Sequence, residues 1–178
     1  MSVKYPYYII TGPPSSGKTT VINELSNKGF KCHKEVARII IKENQIKGID
    51  HFPWNNMSLF SDQVFNRIIE NLDKLNGEFS FFDRSIIDLI AYLEINNIMD
   101  NDKYKSAILK SGYQKNVFYL PFCEEIYLKD TERRESVDDA IKIGKKLKKV
   151  YINLGFNLIE VPFGKAEDRV KYILNFIQ

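Results

Sequence analysis

Short and long apolar segments alternate along this chain, which predicts strands that alternate with helices. Four short apolar runs have the content of buried strands, at residues 7–11, 79–83, 116–120 and 156–161, and a weaker candidate spans residues 29–33. Because parallel strands need crossover connections, usually helices, this order predicts a parallel sheet with helices on both faces. The predicted fold class is therefore a three-layer α/β fold.

Two of the longer segments show where helices lie. One has an apolar stripe with helical spacing, made of Leu59, Phe60, Val64, Ile68, Leu72 and Leu75. The other is predicted to begin near Ser136, where Ser136-Val137-Asp138-Asp139 resembles a capping box with Asp in place of the usual Glu. Each helix is expected to bury one face against its neighbours.

Composition limits the classes of protein to consider. The chain has 178 residues, 44% hydrophobic and 28% charged, which predicts one folded domain over residues 1–178 and excludes a disordered chain. The net charge of +3 comes from lysines clustered between residues 142 and 149. A solvated helix face explains that cluster better than a nucleic-acid surface does. No apolar run is long enough to span a bilayer, so we expect a cytoplasmic protein with reduced Cys32 and Cys123, and a homodimer is compatible with the sequence.

The strongest motif follows the first predicted strand. It runs Gly12-Pro13-Pro14-Ser15-Ser16-Gly17-Lys18-Thr19-Thr20 and matches the phosphate-binding loop G-x-x-x-x-G-K-T at the start of a helix. Its glycines allow successive amides to point at phosphate oxygens. Lys18 is expected to reach the β- and γ-phosphates, and the Thr19 hydroxyl to bind Mg²⁺. We also expect Lys18 to have no structural partner while the loop is empty.

A second candidate group lies at the end of the third predicted strand, when the weaker candidate is counted. Asp83 follows the apolar run of residues 79–82 and is placed at the sheet edge where α/β proteins bind ligands. Its carboxylate suits a magnesium ligand or a general base, and Arg84 next to it suits a phosphate or developing negative charge. The structural alternative is a helix start with Ser85 as N-cap and Asp88 in the first turn, and both interpretations can hold together.

Two further polar segments have open interpretations. Glu35, Arg38, Lys42 and Gln45 lie at helical spacings, so Glu35 and Arg38 could hold an acceptor hydroxyl or could form an ordinary surface ion pair. Arg133 and Arg134 precede the lysine-rich helix. They suit a lid over about residues 130–153 that closes on the γ-phosphate, or a solvated helix start.

Several motifs in order carry a family resemblance. They are Glu35-Val36-Ala37-Arg38, Phe82-Asp83-Arg84-Ser85, Leu120-Pro121-Phe122, Arg133-Arg134 and Glu160-Val161-Pro162. From residue 7 to residue 177, the chain resembles small AAA-domain P-loop ATPases. It is also similar to their relatives, the nicotinamide riboside kinase domain of the bacterial NAD regulator and the deoxynucleoside and thymidylate kinases. No AAA-type sensor or arginine-finger segment follows the core, so the resemblance does not extend to ring assembly.

The resemblance adds expectations to those from the residues. It implies five parallel strands in a kinase-like order and a helical lid. It also implies that Glu35, Arg38 and Arg84 face the acceptor, and that Arg134, rather than Arg133, acts on the transferring phosphate. The chain lacks the guanine-reading N-K-x-D motif, which favours ATP with Mg²⁺ over GTP.

Two functional hypotheses remain at this point. One is a kinase that phosphorylates a nucleoside-like or other small hydroxyl acceptor. The other is a regulatory ATP-binding module with weak ATPase activity that signals to a protein partner.

Overall fold

The computed structural model describes residues 6–99, 102–124 and 136–177. These residues form five strands and seven helices that alternate as the hydrophobic pattern predicts. In chain order they are β1 (Tyr7–Thr11), α1 (Lys18–Asn27), β2 (Lys31–His33), α2 (Val36–Lys47), α3 (Met57–Asp73), β3 (Ser80–Asp83), α4 (Ile86–Ile95), α5 (Asp102–Lys110), β4 (Asn116–Tyr119), α6 (Val137–Asn153), β5 (Asn157–Glu160) and α7 (Ala166–Ile177).

The strands form one parallel sheet in the order β2-β3-β1-β4-β5. The predicted α/β class and the five strands are confirmed, including the weaker candidate, which is the edge strand β2. After β1 the chain forms β2 and β3 on one side of β1, and it then crosses to form β4 and β5 on the other side. A crevice therefore opens beside β1, at the carboxyl ends of the strands, where α/β sheets bind ligands.

Two apolar cores hold the helices against the sheet. One core joins α1 and α7 to the inner strands through residues such as Ile10, Leu25, Phe81 and Ile173. The larger core lies on the other face and joins α2, α3, α4 and α6 to the sheet, which gives the three layers. Successive side chains of β3 point to opposite faces of the sheet, so Phe81 belongs to the first core and Phe82 to the second.

Helix α6 begins where the sequence predicts. Ser136 is its N-cap, and the Ser136 and Asp139 side chains form the reciprocal hydrogen bonds of a capping box. The helix buries Leu147 and Tyr151 against the core, while its first two turns border the central cavity through Asp139 and Lys142. Residues 130–135 of the predicted lid, with Arg133 and Arg134, lie outside the described residues, so the lid remains a prediction.

Most lysines of α6 take the solvated positions that the sequence favours, but Lys146 is half-buried and bonds Glu94 at 3.3 Å. Lys142, Lys145 and Lys149 are exposed, and Lys148 bonds Glu160 at 2.6 Å on the surface. Both cysteines are free and half-buried. Within the described ranges, no helix combines the length and apolar character needed to cross a membrane.

The capping box of α6 generates a stability prediction. Ser136→Ala removes the hydroxyl that accepts from the Asp139 amide at 3.2 Å, so we expect the free energy of unfolding to fall by about 1 kcal/mol. Urea denaturation measures this change. Ser106→Ala is the control, because Ser106 is exposed in the middle of α5 and the same substitution there should be neutral or slightly stabilising. Equal effects at the two serines would contradict the capping role.

Candidate active site

The loop between β1 and α1 has a backbone that requires its glycines. Gly12 has φ 150°, and a Cβ atom at this position would lie 2.1 Å from the Leu120 carbonyl oxygen. Ser15 and Gly17 have φ values of 58° and 81°, in the left-handed region. Such residues among right-handed ones turn successive amides toward one point, which makes a concave anion site. The loop therefore has the backbone form of a phosphate-binding loop.

Lys18 lies inside this loop and is almost fully buried. Its Nζ donates to the Pro13 carbonyl at 2.7 Å and to the Ser16 hydroxyl at 3.1 Å. The expectation that Lys18 has no partner in an empty loop is therefore wrong, because a buried ammonium group must be bonded to something. Burial, followed by the charge of Arg84, lowers the pKa of Lys18 to about 7.

Asp83 ends β3 next to the loop and is also buried. Its Oδ1 atom has no hydrogen-bond partner in the part of the chain that the structure describes. Burial, together with the nearby charge of Glu35, raises the pKa of Asp83 to about 7, although Lys18 and Arg84 oppose this shift. A carboxylate with a free oxygen and a pKa near neutrality suits proton transfer or metal binding.

Arg84 lies in a strained turn between β3 and α4. Its φ is 71°, which is uncommon for a residue with a side chain, and its amide donates to the Ile10 carbonyl at 3.0 Å. Its guanidinium bonds Glu35 at 2.8 Å and Asp88 at 3.2 Å, and it lies over the Tyr92 ring. These contacts fix the Arg84 guanidinium at the cavity wall, where its positive charge faces the carboxylates of Glu35 and Asp88.

Asp88 holds this arrangement from the first turn of α4. The carboxylate accepts from the Thr11 hydroxyl at 2.6 Å, the Tyr151 hydroxyl at 2.6 Å and the Ser85 amide at 2.9 Å, besides Arg84. Because these donors come from β1, α6 and α4, one buried carboxylate ties three elements together. Ser85 is also the N-cap of α4, so the structural and functional interpretations of this segment hold together.

One cavity of about 780 Å³ joins these groups. At one end it reaches the phosphate loop from Pro14 to Thr20. Its lining also includes Asp83 and Arg84, with Glu35 beside Arg84 and Arg38 near Glu35. Burial would raise the pKa of Glu35, but the charges of Arg84, Lys18 and Arg38 together lower it, so Glu35 is an anion.

Another part of the cavity wall is apolar. Its wall includes Met57, Phe60, Val64 and Ile68 from α3. Phe82 lies between two polar rings: His33 stacks on it with centroids 4.3 Å apart, and Tyr113 meets it edge-on at 5.6 Å. His33 Nε2 is buried with no hydrogen-bond partner among the described residues. This apolar part of the cavity can therefore accommodate a flat apolar group, and His33 Nε2 can hydrogen-bond to that group.

The structure brings most of the predicted site residues into this cavity. Glu35 and Arg38 both line it, but Arg38 lies 4.0 Å from Glu35, whereas Arg84 is the close partner of Glu35. Lys42 and Gln45 do not line it, because α2 turns them away. Arg134 lies outside the described residues, so its role stays a prediction.

Sequence reasoning missed several residues around the site. Asp88 was expected only as a first-turn acid, although its position four residues after Arg84 is a signal for an ion pair on a helix. Thr11 directly precedes the glycine loop, which hints at a role. Nothing in the local sequence identifies Tyr151, His33 or the buried Arg169 of α7, because their contacts depend on the tertiary fold.

The oxygen donors at the loop suit magnesium. Mg²⁺ prefers carboxylate, hydroxyl, phosphate and water oxygens, and the exposed Thr19 hydroxyl and the unpaired Asp83 Oδ1 are such atoms. Within the described residues, no group of three or more His, Cys, Asp and Glu side chains could hold a metal ion. The residues therefore fit a Mg²⁺ ion that has few protein ligands and takes most of its ligands from the bound nucleotide.

The fold and the glycine loop define the class: this is a P-loop nucleotide-binding protein with the fold of the P-loop kinases. Comparison with known families gives the particular group. The family model described as AAA domain matches residues 7–169, which is most of the chain, so the chain belongs to that family. The predicted resemblance is thereby confirmed.

Two curated proteins are similar to parts or all of the chain. Guanylate kinase of Malacoplasma penetrans is 23% identical over 185 residues, which cover 93% of this chain and 90% of that protein. RNA polymerase II-associated protein 3 of Gallus gallus is 38% identical over 65 residues. That second match spans 35% of this chain and only 10% of the relative's length.

Solved structures of small kinases share the fold. Deoxyadenosine kinase from M. mycoides aligns with TM-score 0.67 and 18% identity over 96% of this chain and 97% of that one. Shikimate kinase from Acinetobacter baumannii aligns with TM-score 0.60 and 18% identity over 97% of this chain and 92% of that one. Thymidylate kinase from Candida albicans aligns with TM-score 0.55 and 20% identity over 98% of this chain and 91% of that one. The predicted relation to deoxynucleoside and thymidylate kinases is confirmed at the level of fold, and the nicotinamide riboside kinase link stays a prediction.

The raised pKa of Asp83 generates a prediction about pH. A carboxyl that keeps its proton up to about pH 7 in the folded state stabilises the fold at low pH, and that stabilisation is lost as the pH rises from about 4 through 7. Asp83→Asn cannot ionise. We therefore expect the variant to be more stable than the wild type at pH 8, by at least about 1 kcal/mol, and to show a smaller fall between pH 5 and 8.

Urea denaturation at each pH measures this difference. Asp73→Asn is the matched control, since Asp73 is exposed at the end of α3 and should leave the pH profile unchanged. A profile of Asp83→Asn that runs parallel to the wild-type profile would contradict the shifted pKa.

Proposed function

We propose that the protein transfers the γ-phosphoryl group of ATP to a hydroxyl of a small, uncharged, nucleoside-like acceptor. The observation that carries this proposal is the shared cavity, which is lined by the phosphate loop, by Asp83 and Arg84, and by apolar side chains that form what we call its apolar end. A nucleotide-binding switch needs only the loop, whereas a kinase needs a second compartment in line with the phosphates. The volume of about 780 Å³ is of the size that holds small-molecule ligands.

Each polar residue has a task in this reaction. The loop amides and Lys18 hold the β- and γ-phosphates, and the phosphate charge favours the protonated form of Lys18. Asp83 uses its free Oδ1 in one of two ways: it accepts the proton of the attacking hydroxyl, or it binds magnesium. Magnesium, held by Thr19 and in the second case also by Asp83, would neutralise charge on the phosphate oxygens. Arg84 lies at the wall where negative charge develops, and Glu35 orients it at 2.8 Å.

Charge compensation supports an acceptor without a phosphate of its own. Arg84 is already bonded to Glu35 and Asp88, so binding a second phosphate there would require breaking existing ion pairs. The anionic Glu35 also faces the acceptor space and would repel a phosphate monoester. A neutral hydroxyl compound meets neither penalty, because Glu35 can accept its hydrogen bond.

The apolar end supports a flat ring on the acceptor. Phe60, Val64 and Phe82 offer apolar surface, and the unpaired Nε2 of His33, which stacks on the Phe82 ring, offers one polar contact. An acceptor made only of hydroxyl groups would bury them against these side chains without partners, which costs free energy. A nucleoside combines a flat base with a hydroxyl and satisfies both ends of the cavity.

An acceptor screen tests this function. We expect ADP release from ATP to rise at least about tenfold over the rate with water when the right nucleoside is added, and to rise little with nucleoside monophosphates or shikimate. A coupled ADP assay measures the rates, and mass spectrometry identifies the phosphorylated product. If no acceptor raises ADP release although ATP binds, the kinase proposal fails and the regulatory ATP-binding module is supported.

Nucleotide binding at the loop has its own test. Lys18→Ala removes the buried ammonium group, so we expect the Kd for ATP to rise by about 10- to 100-fold. The melting temperature should change only slightly, because the lost bonds to Pro13 and Ser16 are offset by the removal of a buried charge. Calorimetry and a melting curve measure both quantities. Lys145→Ala, on the exposed face of α6, is the control, and an unchanged Kd for Lys18→Ala would refute the loop's role.

A further inference from the structure

Arg169 is a buried cation behind the phosphate loop. It lies in the first turn of α7 with 6% of its surface exposed, and it does not line the central cavity. Its Nη1 donates to the Ser16 carbonyl at 2.9 Å. Its Nε and Nη2 atoms are buried without hydrogen-bond partners among the described residues, and none of the carboxylates in that part of the chain pairs with it.

This arrangement is costly for the empty protein. Burial lowers the pKa of Arg169, although the guanidinium stays charged at neutral pH. A buried charge without a counter-charge destabilises the fold, and an apolar side chain of similar volume would pack there without that cost. Packing alone therefore does not explain an arginine at this position.

The contact with Ser16 has a consequence on the other side of the peptide. The Ser16–Gly17 peptide is trans, so its carbonyl and its amide point in opposite directions. With the Ser16 carbonyl directed at Arg169, the Gly17 amide is directed away from α7. The neighbouring peptide is held in the same manner, because the Cys123 amide donates to the Ser15 carbonyl at 3.2 Å.

We propose that Arg169 is a positioning residue for phosphate binding. It fixes the Ser16–Gly17 peptide with its amide toward the nucleotide, and its charge polarises that amide into a stronger donor. The bound polyphosphate supplies negative charge, which none of the carboxylates in the described ranges supplies to Arg169. The inference rests on nucleotide binding at the loop, which is part of the proposed function, but it does not depend on the acceptor.

Arg169→Gln tests the proposal, with Arg169→Lys and Lys171→Gln beside it. Gln keeps a hydrogen-bond donor but removes the charge, Lys keeps the charge, and Lys171→Gln removes an exposed charge from the same helix. Calorimetry with ATP and with inorganic tripolyphosphate gives the Kd values, and melting curves give stability. Tripolyphosphate lacks the base and ribose, so it reports the phosphate contacts alone.

We expect Arg169→Gln to weaken binding of both ligands by about 10- to 100-fold, and Arg169→Lys to restore most of the affinity. Lys171→Gln should change neither Kd. Wild-type affinity of Arg169→Gln for both ligands, whatever its melting temperature, would overturn the inference while leaving the kinase proposal intact. If Arg169→Gln weakens binding of both ligands but no acceptor raises turnover of the wild-type protein, the inference stands and the kinase proposal fails.

The wild-type protein supplies a second test should Arg169→Gln fail to fold. Titration with tripolyphosphate, followed by NMR, should shift the Gly17 amide resonance and the Arg169 Nε–H resonance together, because one peptide links them. Absence of a shift at either group, while tripolyphosphate binds, overturns the proposal.

Discussion

The buried carboxylate of Asp88 is the interaction on which the site depends. It lies at the start of α4 and accepts hydrogen bonds from the end of β1, through Thr11, and from α6, through Tyr151. It also bonds the side chain of Arg84, whose backbone has a left-handed φ of 71°. A charge in this position is stable only while all its donors are present, since each lost donor leaves a buried anion less compensated. The sheet edge and the cavity wall are therefore fixed by the same group.

This arrangement joins the two compartments of the cavity. Arg84 lies between Asp88, which belongs to the scaffold, and Glu35, which borders the acceptor end. Asp88 also accepts from Thr11, the last residue of β1. One continuous set of hydrogen bonds therefore links the strand that precedes the phosphate loop, through Asp88 and Arg84, to Glu35 at the start of α2.

The sequence predicted the fold well and the site only in part. Strands appeared as short apolar runs, and the capping box at Ser136 identified the start of α6, because both signals are local. The phosphate loop was equally local, since Gly12 and Gly17 are required by backbone geometry at those positions. The partners of Arg84 were not predictable in this way. Glu35 lies 49 positions away along the chain, and only the sheet order brings it to Arg84.

The wrong expectation for Lys18 has the same origin. From the motif alone, the side chain of Lys18 is expected to have no partner in an empty loop. The fold buries this side chain, so its ammonium group bonds Pro13 and Ser16. Burial also decides the properties of Asp83. Its position at the end of a strand identifies it as a candidate acid, but its raised pKa comes from burial and from Glu35, which the local sequence does not reveal.

The empty site is electrostatically incomplete, and this decides how binding affects it. Lys18 and Asp83 both have pKa values of about 7, shifted by burial in opposite directions, so each is held near the point of losing its charge. A bound polyphosphate adds negative charge beside Lys18, which favours the ammonium form and strengthens its bonds to the phosphates. The same negative charge raises the proton affinity of Asp83 unless a cation accompanies the nucleotide. In the proposed reaction, the cation that accompanies the nucleotide therefore decides whether the Asp83 carboxyl is in its charged or its protonated form.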